Sequence, residues 1–281
     1  MLRFVITLLC LSLSLFNKEI IHTCFADELA QRNATEHNES RRDILYTNLV
    51  GAAVITAWGV ANWEYGQDSP HSSEEEWFGR HTESGGADKL GHFYASYFLG
   101  SGLSGLYEGW GYSEADAAFY GSVSSFFLLN YMEIGDAFSS EFGFSYEDFI
   151  MNTLGSVSSY FFYTNPELSK RIDLRIEYFP SFDTADIVTE YEKMKYLIAF
   201  KAEGFDLITN PYLKYTELHL GYYTRSYKGG YSDDSERIIY LGIGINLSRV
   251  FRQNKYTKTA RFLNYYQLPY TYIPFEKDLN K

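Results

Sequence analysis

Near residue 170 the spacing of apolar residues changes from a helical repeat to a repeat of two, and that change limits the chain to a helical part followed by a sheet. In "RIIYLGIGINLS", Ile239, Leu241, Ile243, Ile245 and Leu247 fall on one face, and Ile238, Tyr240, Gly242, Gly244, Asn246 and Ser248 on the other. The segment "LKYTELHLGYYTRSY" is its expected hairpin partner across the polar loop "KGGYSDDSE", while "DLRIEYF" and "KYLIAFKAEGF" read as shorter strands. "FLNYYQLPYTYIPF" is extended and interrupted by Pro269 and Pro274, which suits an edge. Four or five strands fall short of the roughly eight that an outer-membrane barrel needs. An open antiparallel sheet is expected instead, its apolar face covered by the helices, by a membrane or by another subunit, with the helices as the simplest cover.

Upstream of the sheet the chain reads as a hydrophobic helical bundle, so the fold class is α+β, with a helical domain at residues 43–166 and a β-rich region at residues 167–281. "ILYTNLVGAAVITAWGVANW", residues 44–63, is long enough to cross a bilayer but carries Thr47, Asn48, Thr56 and Asn62, so a buried core helix and a membrane helix compete evenly. A loop rich in Gly, Ser and acidic residues delivers the chain to Asp88, where a helix runs to the breaker "GWGY". Ser113 and Asp116 form a capping box ahead of the next helix. "GFSY" ends that helix, and "EDFIMNTLGSVSSYFFY" forms another that stops before Pro166. The small residues of "LGSGLSG" allow close approach between helices.

Arg3, the apolar run "FVITLLCLSLSLF" and "CFA" before Asp27 predict a signal peptide at residues 1–26, followed by a polar flexible segment at 27–42. Cys24 follows Ile21, His22 and Thr23, whereas a lipid-attachment box wants small residues there, which argues against lipidation. The chain's only cysteines, Cys10 and Cys24, both fall in the segment to be removed, which excludes disulfides, thiolate metal sites and a cysteine nucleophile from the mature chain. Its net charge of −12 becomes −13 once Arg3, Lys18 and Glu19 are cleaved away, which disfavours nucleic acid and anionic lipid head groups. Aromatics are 19% of the residues, an excess suited to interfaces and membrane boundaries. Neither a glycine-rich phosphate loop nor a G-x-S-x-G elbow occurs.

Each of three apolar helices carries a short polar stripe: Asp88, His92 and Ser96; Glu133 and Asp136; Asp148, Asn152 and Ser156. Such stripes are expected to face one another, because the alternative is unpaired charge against lipid or core. The candidate cluster is therefore Asp88, His92, Ser96, Glu133, Asp136, Asp148 and Asn152. Asp88, His92, Glu133 and Asp148 have the donor types for a divalent metal, which is the one cofactor the pattern admits. A carboxylate of raised pKa beside His92 would allow acid and base chemistry. A purely structural network, with Asp88 and Asp148 also favouring their helix starts, carries the most weight. His71, His81 and His219 are expected to face solvent.

Taken together, "WFGRHTESGGADKLGHFYASYFLGSGLSG" and "SSFFLLNYMEIGDAFSSEFGFSYEDFIMNTLGS" resemble the YfiM-like group of predicted periplasmic lipoproteins, a family defined by a domain of unknown function. The residues that carry the resemblance are Asp88, Lys89, His92, Phe93, Ser96, Glu133, Asp136, Asp148 and Gly155, within residues 77–162. The order D-K-x-x-H-F, then Glu133, then Asp148, Asn152 and Gly155 is also similar to VanZ-like membrane proteins, although Asp136 stands where their Gln would be and Glu141 or Phe142 near their Arg. The resemblance implies an envelope location and a shared helical core rather than a reaction. The expected role is a structural or accessory component of the bacterial envelope, in the periplasm or at the outer membrane, with membrane or envelope components as partners and a homo-oligomer through the sheet as a further option. The alternative is a membrane-proximal metal-binding or hydrolytic enzyme acting on lipid or cell-wall material through Asp88, His92, Glu133 and Asp148.

Overall fold

A computed structural model describes residues 34–179, 188–227 and 230–281, with side chains from residue 42 onward. The expected signal peptide and both cysteines lie outside the described residues. Among the described residues four long helices come first: α1 (Ala34–Asn62), α2 (Ala87–Gly109), α3 (Glu114–Asp136) and α4 (Tyr146–Thr164). After the short α5 (Pro166–Arg171), whose proline sits in its first turn, come strands β1 (Ile172–Tyr178), β2 (Met194–Lys201), β3 (Thr216–Arg225) and β4 (Glu236–Ile245). Two short helices, α6 (Leu247–Gln253) and α7 (Thr257–Phe262), precede β5 (Tyr272–Asp278). The expected class is therefore the observed one, helices followed by an antiparallel five-stranded sheet in the order β1-β2-β3-β4-β5.

The chain changes class at Arg171, but its compact units cut across that change. One contains the described residues up to Ser73 together with Tyr131–Phe144; the other contains Glu74–Asn130 and Ser145–Lys281. In the first unit, α1 begins at Ala34, inside the stretch expected to be a flexible lead-in, because no Gly or Pro interrupts "ATEHNESRRD". Residues 42–62 of this helix have the length and mean hydropathy of a membrane span, and Leu45, Leu49, Val50, Val54 and Val60 are each more than half exposed. The buried core helix considered from sequence is thus not what forms. Tyr65 packs its ring against Gly59 and Gly135, and its hydroxyl lies 2.8 Å from Asp136 Oδ1 and 3.1 Å from the Met132 carbonyl oxygen.

In the second unit, α2 starts from Gly85 and Gly86, whose φ angles of 67° and 86° are left-handed, and Asp88 stands in its first turn. The capping box forms as expected: Ser113 Oγ donates to Asp116 Oδ2 at 2.7 Å and accepts from the Asp116 N–H at 3.2 Å. Ser145 caps α4 by accepting from the Asp148 N–H at 3.2 Å. Between α2, α3 and α4 runs a serine-lined seam: Ser125 Oγ donates to the Ser96 carbonyl at 2.7 Å, and the Ser122 and Ser159 hydroxyls meet at 2.8 Å. The seam is narrow because Gly155 lies on the α2 backbone, and a Cβ there would run into the Phe93 carbonyl oxygen.

Backbone atoms cannot swing aside as a side chain can. Gly155→Ala is expected to cost roughly 1–3 kcal/mol of stability. Gly102→Ala, on α2 with nothing within 4 Å of its Cβ, is expected to be neutral or slightly stabilising. Thermal unfolding of both variants in one detergent checks the contrast; equal melting temperatures would sink it.

In the sheet the two faces are the reverse of a soluble protein's. Register aligns Ile172, Phe200, Leu218, Ile243 and Ile273 in one cross-strand row, and Leu174, Ile198, Leu220, Leu241 and Phe275 in the next. The members on β3, β4 and β5 are exposed, while Ile172, Leu174, Ile198 and Phe200 on β1 and β2 are half-buried. Asp173, Arg175, Lys201, Glu217 and His219 occupy the opposite face and are buried. The expectation that His219 faces solvent is corrected: Gly242 and Gly244 of β4 clear the space its ring fills.

Of the expected extended edge, residues 272–275 lie in the edge strand β5, whereas residues 263–271 take another path. They leave α7, hydrogen-bond to the free edge of β1 through Ile176 N to the Tyr265 carbonyl (3.0 Å) and Gln267 N to the Ile176 carbonyl (2.9 Å), and then enter β5 at the opposite edge. Five strands laid flat would put those edges roughly 19 Å apart at about 4.8 Å per gap, with Gln267 a further gap outside β1. The five residue steps from Gln267 to Tyr272 reach about 18 Å at most, so the sheet must curl. Its concave side holds the buried charged residues beside an apolar cluster of Leu197, Ala199, Tyr223, Ile238 and Tyr240, and its convex side is mainly apolar.

Candidate functional site

The structure brings Asp88, His92 and Ser96 of α2 against Asp148 and Asn152 of α4. Ser96 Oγ donates to Asn152 Oδ1 at 3.0 Å, and His92 Nδ1 lies 3.3 Å from the same oxygen. For Asn152 Oδ1 to accept from both, His92 Nδ1 must carry a proton; Nε2 lies 3.8 Å from Asp148 Oδ1. Asn152 Nδ2 donates to the Leu129 carbonyl of α3 at 3.3 Å. Ser156, one turn further along α4, is buried with its hydroxyl 3.4 Å from Ser125 Oγ. Glu133 and Asp136 belong to the first unit: Glu133 is buried there, and Asp136 holds Tyr65, whose hydroxyl is pushed above the usual tyrosine range by burial and by that carboxylate.

Two residues absent from the expected cluster organise it. Lys89 is fully buried, and its ammonium lies 2.7 Å from Asp88 Oδ2, 2.9 Å from Asp148 Oδ2, and in direct contact with Glu75 Oε2. Asp88 is also gripped by the Ser84 hydroxyl. Burial works against the lysine's charge, but the carboxylates of Asp88, Asp148 and Glu75 outweigh it and hold the ammonium above the usual lysine range. Burial also opposes the Asp88 charge, yet Lys89 and Ser84 draw that carboxyl below its ordinary value. Glu75 goes the other way, up to about 7, through burial first and the facing Asp148 second. Asp148 is likewise raised by burial, against the pull of Lys89. Burial and the facing carboxylate thus favour the protonated forms of Glu75 and Asp148, whereas Lys89 and Ser84 favour the charged form of Asp88.

Chemically, this is a closed charge cluster that ties the 74–86 loop to two helices. Carboxylate oxygens of Glu75, Asp88 and Asp148 approach within 4.8 Å of one another, as metal ligands do, but the Lys89 ammonium already contacts all three carboxylates. Ser96, Lys89 and Asn152 are sealed from solvent, and Glu75, the most open member of the ion cluster, has a side chain only 21% exposed. The sequence signal for Lys89 was present in the D-K pair, but adjacent helical residues point about 100° apart, so a stripe built on i, i+4 spacing passes over it. Its long stem folds back to Asp88 and reaches across to α4. Glu75 carried no signal beyond its place in the acidic run Glu74-Glu75-Glu76.

The concave side of the sheet holds a second buried network that the sequence did not announce. Arg175 Nη1 donates to Glu217 Oε1 at 2.6 Å and to Gln267 Oε1 at 2.9 Å, while Nη2 donates to Asp173 Oδ2 at 2.6 Å. Lys201 Nζ pairs with Asp173 Oδ1 at 2.6 Å, and His219 Nε2 lies 2.8 Å from Glu217 Oε1. Burial disfavours the Glu217 charge, but His219 and Arg175 hold its carboxyl below the ordinary range.

Residues 74–164 match a family described as "Predicted periplasmic lipoprotein (DUF2279)", of unknown function. The matched stretch contains the Lys89 cluster and leaves out the curled sheet. It is consistent with an exported protein of the cell envelope or periplasm. The VanZ-like resemblance finds no support. Neither a curated protein nor a solved structure matches the chain.

Proposed function

We propose that the chain is a non-enzymatic accessory component of the bacterial envelope, held at a membrane by an apolar exterior and kept in shape by a polar interior. The observation that carries this reading is the inversion of polarity. On the sheet, Leu218, Leu241, Ile243, Ile245, Ile273 and Phe275 are 52–68% exposed, whereas Asp173, Arg175, Lys201, Glu217 and His219 are 1–3% exposed. On α4, Ile150, Leu154, Val157 and Phe161 point outward while Asp148, Asn152, Ser156 and Ser159 point inward. Water would impose the opposite arrangement, and contiguous apolar surface of this extent marks an interaction face. Lipid tolerates it, and an apolar exterior around a polar interior is the pattern of proteins that meet hydrocarbon. The exposed, apolar 42–62 stretch of α1 supports the same reading.

Flotation of the purified full chain on phosphatidylcholine vesicles tests the proposal. Wild type is expected to float with the vesicles and to stay bound at high salt, because the contact is apolar and the chain is acidic. The double substitution Leu241→Glu with Ile243→Glu is expected to reduce flotation at least tenfold while leaving the circular dichroism spectrum unchanged. A wild-type chain that stays monodisperse in water without detergent and never floats would overturn the reading.

A further inference from the structure

At one end of the convex face the sheet does not lie flat on the helices. A cavity of about 460 Å³ remains between α2 and α4 on one side and β1 to β4 on the other. Its size falls inside the roughly 300–1,000 Å³ range of small-molecule sites. Leu90, Phe93, Met151, Leu154, Ile198 and Leu220 give its walls their character. Resting on the membrane reading above, we propose that this cavity takes one acyl chain of a membrane phospholipid.

The chemistry of the occupant follows from how the wall spends its polar groups. Tyr94 donates its hydroxyl proton to the Tyr265 carbonyl at 2.7 Å, Tyr222 to the Gly85 carbonyl at 2.5 Å, and Tyr196 to Met194 Sδ at 3.0 Å. Both Nη atoms of Arg175 are taken by Asp173, Glu217 and Gln267. The tyrosine hydroxyls of the wall are therefore used within the protein, and the Arg175 guanidinium belongs to the network on the concave side, where its Nε has no partner. A peptide or sugar in this space would lose its hydrogen bonds to water without replacement by the tyrosine hydroxyls. Hydrocarbon loses nothing, and an apolar cavity of this kind takes up hydrocarbon in preference to water.

The direction of entry follows from the rim. Leu154, Leu220 and Ile239 line the cavity and are also partly exposed, at 49%, 37% and 38%. Leu220 pairs with Leu241, which stands 63% exposed in the same cross-strand row. Through Leu220 and Leu241 the wall thus continues in apolar residues onto the surface proposed to meet lipid. A free fatty acid would bring a carboxylate, and the lining offers no uncommitted cation to receive it. A phospholipid leaves its head group outside, at the bilayer surface.

The test uses the full chain in detergent and a phosphatidylcholine bearing one fluorescent polyene acyl chain. Saturable binding of one lipid per chain is expected, displaced by unlabelled phosphatidylcholine and not by glycerophosphocholine. Met151→Trp fills the cavity from the helix side and Ile198→Trp from the sheet side; each is expected to weaken binding at least tenfold. Vesicle flotation, measured in parallel, is expected to stay at wild-type level in both variants, so loss of the acyl site and loss of membrane association are read separately. Non-saturable uptake, or saturable binding that survives both substitutions, would overturn the proposal. So would a chain that is dimeric in detergent, binds no lipid and becomes monomeric on Met151→Trp, since the occupant would then be a second copy.

Discussion

Lys89→Met is expected to be the most damaging single substitution in the helical part of the protein. Methionine fits the same channel but removes the ammonium, leaving the carboxylates of Glu75, Asp88 and Asp148 together in a space that excludes water. Removing one partner of a buried ion pair costs roughly 3–5 kcal/mol, and here three partners lose the same cation. Proton uptake by Glu75 and Asp148, both already raised, limits the damage, but Asp88 loses the cation that offset its burial. Chemical denaturation of the full chain in one detergent should show the loss directly. Adding Asp148→Asn to Lys89→Met should restore part of it, because the double variant buries one carboxylate fewer. Wild-type stability in Lys89→Met would show that the ammonium is not what holds the loop to α2 and α4.

Arg175→Leu is the second large effect, and it should be smaller for a reason visible in the network. Glu217 keeps His219 and Asp173 keeps Lys201 when the guanidinium is lost, so the expected cost is about 3 kcal/mol rather than the top of the range. The loss should also be local. Gln267 would have no partner for Oε1, and residues 265–271, which run from the β1 edge to β5, depend on that bond and on two backbone bonds to Ile176. Amide hydrogen exchange is therefore expected to speed up at residues 265–271 more than in β2 or β3. Uniform loss of protection across the sheet would mean that Arg175 supports the whole core rather than its closure.

The candidate site was legible in part. Asp88, His92, Ser96, Asp148 and Asn152 stand together because two helices with polar residues at i, i+4 spacing have little choice but to face those residues toward each other. Lys89 and Glu75 were missed for different physical reasons. The lysine reaches the cluster through the length of its side chain rather than the direction of its Cα–Cβ bond, and the glutamate through the path of a loop, which no period describes. The helices at 247–253 and 257–262 were missed because each is too short for a periodic signal.

By itself the sequence determined the class of structure: helices that give way to strands near residue 170, the capping box at Ser113, the β3–β4 hairpin and the division of β4 into an aliphatic face and a face of Gly, Tyr and Asn. It did not determine which face looks inward. A period of two separates the faces of a strand and says nothing about what each will meet; that depends on partners distant in the chain. Only the folded chain, with Gln267 carried across from β1 toward β5, closes a polar interior around Arg175 and turns Leu241 and Ile243 outward.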